Sequence, residues 1–208
     1  DDRIYMIGPD FNVHSINGEN GDLIWKYNPY PENKISGAIR GVTYYDDGVN
    51  GRIFFVSESF LYCLDALTGE LINSFGDKGR TSLNKGFNRD TKDLFISATT
   101  PGIIFENLLI LGSRVLDSAN QKTIPGDIRA FNVLTGEIIW TFNTIPKPGE
   151  LGYETWPKDS WKNEYLTVNS WGGFTLDEKN GIVFFGTGSP SYDHWGGNRV
   201  GNNLFGNC

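Results

Sequence analysis

Leu61-Tyr62-Cys63-Leu64-Asp65-Ala66-Leu67-Thr68-Gly69-Glu70-Leu71-Ile72 is the stretch on which the fold turns. A short apolar run leads into a turn that ends in Gly and an acidic residue, and a second apolar run follows. The same pattern recurs at residues 13–25, where the turn glycine is Gly21, and at residues 128–140, where it is Gly136. The Gly supplies the positive φ that a tight turn between strands demands. The acidic residue after it, Asp22, Glu70 or Glu137, is expected in solvent at the start of the second strand. The glycines are 48 and 67 residues apart. Propeller blades of four strands repeat at roughly 40–50 residues, so the longer interval must carry a projecting loop.

Working outward, other strands are expected at residues 52–57, 103–111 and 181–186, the last after the turn Asp177-Glu178-Lys179-Asn180-Gly181. No helix is expected. The 208 residues include 26 Gly and 20 Asn against five Ala and one Met, with 14% aromatics, an all-β balance rich in turn formers. Charged residues at 21% and hydrophobic ones at 38% exclude a disordered chain. No apolar run approaches the ~18 residues of a membrane span. The opening Asp1-Asp2-Arg3 has no signal character, so either a signal has been removed or the chain begins inside a longer protein. A net charge of −7 without basic clusters argues against nucleic acid as a partner. Cys63 reads as a small buried hydrophobe, and its distance from Cys208 suggests no zinc site.

The expected architecture is therefore all-β: a partial β-propeller of four-stranded antiparallel blades over 1–208, roughly three blades plus part of a fourth, which begins near Trp171. So few blades do not close a ring, which takes about 4–8, so the chain is expected to be a piece of a larger propeller with two apolar sheet faces open. Residues 76–100 and 144–170 are long and irregular. The second holds Trp156 and Trp161, and long aromatic loops tend to be functional surfaces.

The repeat resembles the tryptophan-docking repeat of the quinoprotein dehydrogenases, which use pyrroloquinoline quinone (PQQ). Phe75-Gly76-Asp77-Lys78-Gly79, Gly126-Asp127-Ile128-Arg129-Ala130-Phe131, Gly149-Glu150-Leu151-Gly152-Tyr153-Glu154-Thr155-Trp156-Pro157 and Phe185-Gly186-Thr187-Gly188-Ser189-Pro190 extend the likeness. So does the tail from Gly196-Gly197-Asn198-Arg199 to Leu204. The glucose dehydrogenase branch is the most similar. The resemblance implies an eight-bladed propeller with PQQ and Ca2+ near its axis. It implies oxidation of a sugar or alcohol hydroxyl by hydride transfer to the quinone, and electron transfer to a quinone or cytochrome in the periplasm.

Residue by residue, Arg40 in Ile39-Arg40-Gly41 matches an Arg that contacts the oxygens of PQQ, a task suited to a planar, bidentate donor. Trp171 matches the Trp that stacks on the quinone ring, where Gly172 and Gly173 allow close approach. Thr99, within Ser97-Ala98-Thr99-Thr100, matches a hydroxyl that bonds the quinone. Asp117 lies near the position of a calcium-ligating Glu, and a solvated turn Asp is the other reading. Ser189 occupies the place of a calcium-ligating Asn, although a hydroxyl is the weaker ligand for a hard cation. Arg129 faces either the centre or the rim. His14 reads as structural, and His194 as a hydrogen-bonded loop residue or one facing substrate.

The chain also departs from the family. Ser36-Gly37-Ala38 stand where the alcohol-oxidising branch has vicinal cysteines. The loop 144–170 lacks the His of membrane glucose dehydrogenases, and Glu154, Trp156 and Lys158 are candidates to shape a different pocket. The family's catalytic Asp, a general base, falls beyond Cys208, so these 208 residues alone are expected to be inactive. The competing reading is a non-catalytic propeller scaffold of the outer-membrane assembly lipoprotein type, which shares the repeat without the cofactor pocket.

Overall fold

The computed structural model describes residues 2–30, 38–118 and 120–208. Ser36 and Gly37, at the place of the family's vicinal cysteines, lie outside them. Strands β1 (Arg3–Ile7), β2 (Val13–Asn17) and β3 (Leu23–Tyr27) form a first antiparallel sheet. Strands β4 (Thr43–Asp46), β5 (Gly51–Ser57), β6 (Phe60–Asp65) and β7 (Arg80–Ser82) form a second, in that order. A small ladder pairs β8 (Ile96–Ser97) with a later strand. Then come β9 (Ile103–Phe105), β10 (Leu108–Leu111) and β11 (Arg114–Val115), the last being the partner of β8. With β12 (Ile128–Asn132) and β13 (Ile138–Phe142), a third sheet runs β13-β12-β10-β9. The hairpin of β14 (Phe174–Asp177) and β15 (Ile182–Phe185) is the last. The architecture is a partial β-propeller.

Strand periodicity explains why these sheets stack. In β5, Ile53 and Phe55 face the first sheet, while Phe54 and Val56 face the third. Tyr62 and Leu64 of β6 likewise join the first seam, and Leu61 and Cys63 the second. A sheet apolar on both faces has to be covered on both. In the third sheet, Ile128 and Ala130 turn towards the β14–β15 hairpin, where Phe174, Val183 and Phe185 close the seam. The outward faces at the two ends stay apolar and exposed, with Ile4 and Met6 on the first sheet and Ile182 and Phe184 on the last.

The repeated turns share one construction. The backbone N–H of Gly69 donates to Asp65 O at 2.9 Å, and the Asp65 carboxylate accepts from the N–H groups of Leu67 and Thr68. Asn132 does the same for Leu134 and Thr135, ahead of Gly136. Gly69 sits at φ 75° and Gly136 at 74°. Each glycine is also a docking surface for the preceding repeat. A Cβ on Gly69 would lie 2.6 Å from the Trp25 indole, whose Nε1–H donates to Ala66 O at 3.0 Å. On Gly136 it would lie 3.0 Å from the Phe75 ring. Asp22, Glu70 and Glu137 are exposed, as expected.

Three expectations are corrected. Residues 103–111 are not one strand but the hairpin β9–β10, which folds back at Glu106, a non-glycine residue at φ 52°. After Gly69 no full strand follows. Leu71 makes a single bridge to Leu64, and β7, from the stretch expected to be irregular, takes the edge. The loop 144–170 contains two single-turn 3-10 helices, Tyr153–Thr155 and Ser160–Lys162. Among the described residues no helix is long and apolar enough to cross a membrane.

Two outcomes test this architecture. Gly69→Ala combines φ strain with a clash against Trp25, and a destabilisation of about 2–4 kcal/mol is expected. Asp65→Ala removes two backbone bonds and should lose about 1–2 kcal/mol. Urea unfolding measures both, and equal stabilities would contradict the docking role of the turn. Both cysteines are free. Burial pushes the Cys63 thiol up to about 12, so a thiol reagent should label exposed Cys208 in the native chain and Cys63 only after unfolding.

Candidate functional site

Five stretches of chain end around one cleft of about 730 Å³. They are the approach to β4 with Arg40, the exit of β8 with Thr99, the β11 segment with Asp117, the approach to β14 with Trp171, and the loop after β15 with Ser189. Five of the six residues assigned from the sequence to cofactor or metal binding thus line one cavity. They come together because each lies just before or just after a strand, where the sheets converge.

Arg40 and Thr99 are locked to each other twice. The Arg40 backbone N–H donates to Thr99 O at 2.8 Å, and its Nη1 donates to Thr99 Oγ1 at 2.8 Å. The guanidinium is thereby oriented, and its other N–H groups have no partner among the described residues. Trp171 is anchored through its backbone, its carbonyl accepting from Thr100 Oγ1 at 2.7 Å. Trp171 is 54% exposed and lines the cleft rather than packing in a seam. A Cβ on Gly172 or Gly173 would meet nothing within 4 Å, so the space beside the indole is open.

The acidic side of the cleft holds Asp117 and Asp193. Partial burial and the neighbouring Asp193 carboxyl raise the Asp117 carboxyl above its ordinary value, with His194 opposing. Two carboxyls this close repel when both are ionised, and a cation between them would relieve that repulsion. Ser189 and Asn169 add oxygen-bearing side chains to the lining of the same cleft. Asn169 is fixed by its Nδ2 donating to Ser113 O at 3.0 Å. The loop carrying Ser189 is held by Gly188 N–H donating to Asn169 O and by Asn207 N–H donating to Gly188 O.

Arg129 is not brought to this cleft. It lies on the same face of β12 as Phe131, within the seam to the second sheet, and is 2% exposed. Its Nη1 donates to Leu83 O at 2.8 Å and Lys85 O at 3.0 Å, and its guanidinium lies over the Phe87 and Phe131 rings. Burial pulls its pKa down to about 10. Trp156 is also interior, its Nε1–H donating to Leu204 O, while Glu154 and Lys158 are exposed. His14 pairs with Asp10 at 3.1 Å away from the cleft.

Asn169, Arg114, Thr187 and Asp193 also line the cleft and were not singled out from the sequence. A signal existed for two of them. Asn169 is two residues before Trp171, and Asp193 adjoins His194 in the loop that follows Gly-Ser-Pro.

The chain is 26% identical to the quinate/shikimate dehydrogenase (quinone) of Acinetobacter baylyi over 229 residues, which cover 95% of this chain and 27% of that protein. It is 27% identical to the quinoprotein glucose dehydrogenase of Escherichia coli over 214 residues, 96% of this chain and 26% of the relative. It thus spans about a quarter of the length of these curated relatives. The crystal structure of quinohemoprotein alcohol dehydrogenase from Comamonas testosteroni superposes with a TM-score of 0.73 at 22% identity, over 99% of this chain and 31% of that one, a likeness of fold. The family model described as "PQQ: Glucose/ethanol/alcohol dehydrogenase, beta-propeller domain" matches residues 1–208, and the chain belongs to that family.

Proposed function

We propose that the cleft binds PQQ and a divalent cation, and that the protein oxidises a hydroxyl of a sugar or alcohol. The observation that carries this reading is the exposed Trp171 indole in the same cleft as the Arg40–Thr99 pair. A flat, polycarboxylated tricycle needs a broad aromatic floor and a cationic planar donor, and the open space beside Gly172 and Gly173 leaves room for it. Asp117, Asp193 and Ser189 supply the hard oxygen ligands that Ca2+ prefers.

When bound, PQQ would take up the hydride from the carbinol carbon, while the cation polarises the accepting carbonyl. The chain's own residues do the rest. Arg40 would hold the cofactor by donating to its oxygens, and Thr99 keeps the guanidinium from rotating away. Trp171 would cover one face of the bound ring and exclude water from it. Asp117 and Asp193 would hold the cation. Electrons pass on to a quinone or cytochrome, and the enzyme works in the periplasm. A scaffold propeller would have no use for an unpacked Trp beside an oriented Arg, so the enzyme reading is preferred.

Titrating the full chain with PQQ in the presence of Ca2+ should quench tryptophan fluorescence saturably. Trp171→Ala should bind about tenfold more weakly, since a ring contact is worth ~0.5–1.5 kcal/mol beyond its area burial. Arg40→Met should lose more, because a bond to a charged group is worth ~1.5–3 kcal/mol. No saturable quenching by the folded protein would sink the assignment and favour the scaffold. The cation side is tested separately. Calcium titration followed by calorimetry should show at least about tenfold weaker binding for Asp117→Asn, because a carboxylate ligand is lost, and unchanged affinity would remove Asp117 from the site.

A further inference from the structure

A second cavity, of about 390 Å³, opens between residues 86–89 and the stretches 141–147 and 161–166. It shares no lining residue with the cleft. Its walls are Phe87, Pro125, Ile145, Trp161 and Leu166, an aromatic and aliphatic box. Cavities of this size, apolar with a few convergent polar groups, are what small-molecule sites look like.

The polar groups are unusual. Trp161 Nε1, Arg89 Nε and Asn143 Oδ1 are all buried without a partner among the described residues. These three atoms lie behind the lining with almost no accessible surface, so the groups that a molecule in the cavity can reach are the charged ones. The charges are unbalanced as well. Arg89 donates only to carbonyls, those of Asn163 and Thr123, each at 3.1 Å. The Glu164 carboxylate is taken by Lys122 at 2.6 Å, and Lys162 by Asp159 at 3.0 Å. Asp127, deep in the wall, accepts from Thr144 and is biased by burial towards its neutral form. Arg89 and Lys147 are therefore left with no carboxylate within ion-pair distance among the described residues.

We propose that this cavity is a second small-molecule site, independent of the PQQ reading, that takes a ring-bearing organic carboxylate. The carboxylate accepts from the remaining N–H groups at the Arg89 Nη atoms and from Lys147 Nζ, and neutralises the guanidinium. The ring fills the box between Phe87, Ile145 and Leu166. A neutral ring amide of the same shape leaves the guanidinium charge unanswered and binds worse.

The probe is benzoate, with benzamide as its neutral isostere, followed by calorimetry and tryptophan fluorescence on the full chain. The expected result is saturable benzoate binding with a Kd of about 1 mM or tighter, and at least about tenfold weaker binding of benzamide. Arg89→Gln should weaken benzoate at least about tenfold, and Arg89→Lys less. Trp161→Phe keeps an aromatic ring in the wall and both cations in place, and should change benzoate affinity less than about threefold. Because Arg89 also ties two loops together, circular dichroism must show each variant folded. If Arg89→Gln is not folded, Lys147→Gln decides, with at least about threefold weaker benzoate binding expected. Arg40→Gln and Trp171→Ala should leave benzoate affinity unchanged, which separates this cavity from the cleft. The proposal is overturned by absent benzoate binding, by equal affinity for benzamide, by a folded Arg89→Gln or Lys147→Gln variant that binds normally, or by loss of benzoate binding in Arg40→Gln.

Discussion

An aromatic ring seated on a turn glycine is the interaction on which the rest of this molecule depends. Trp25 lies on Gly69 and Phe75 on Gly136. In each case the glycine serves twice. Its positive φ closes the turn, and its missing side chain admits the ring of the previous repeat. The side chain four residues earlier, Asp65 or Asn132, stiffens the turn by accepting two backbone N–H groups. A side chain at the glycine position strains the turn and crowds the sheet-to-sheet contact. This couples local chain conformation to the stacking of sheets, so a short motif can propagate a large architecture.

Stacking by seams also decides what each polar residue can do. Residues inside a strand alternate between two seams, and a charged one there must find partners in the interior. Arg129 does so with two carbonyls and two aromatic rings. Residues just outside a strand escape the alternation and meet at the converging ends. Arg40, Thr99, Asp117, Trp171 and Ser189 are all of this kind. One residue type, arginine, thus serves as interior glue in one place and as an oriented donor at a cleft in another.

The sequence was most legible where one residue type has one conformational meaning. The turn glycines and the alternating apolar runs placed most of the sheets. It was opaque where the backbone does something that its residues do not advertise. Glu106 takes a left-handed conformation without being Gly or Asn, so the β9–β10 hairpin read as one long strand. The edge strand β7 is only Arg80–Ser82, too short for any periodicity to show, and tertiary pairing with β6 creates it. At the cleft, resemblance supplied residues that spacing alone could not bring together, because they lie as far apart as Arg40 and Ser189. The face that Arg129 adopts depended on the phase of β12, which its partner β10 fixes.

The cleft has no wall of its own. Every side of it is the end of some sheet or loop that is held in place by a seam elsewhere. A molecule lodged there therefore prefers the fully docked arrangement over any state in which one blade has swung loose. By thermodynamic reciprocity, its affinity is discounted by whatever fraction of molecules is undocked at a given moment. The ring of Phe75 on Gly136, which touches nothing in the cleft, thus has a say in how tightly the cleft holds its occupant. Affinity in such an architecture is a collective property of its seams, and sequence drift far from the pocket can tune it without altering a single lining residue.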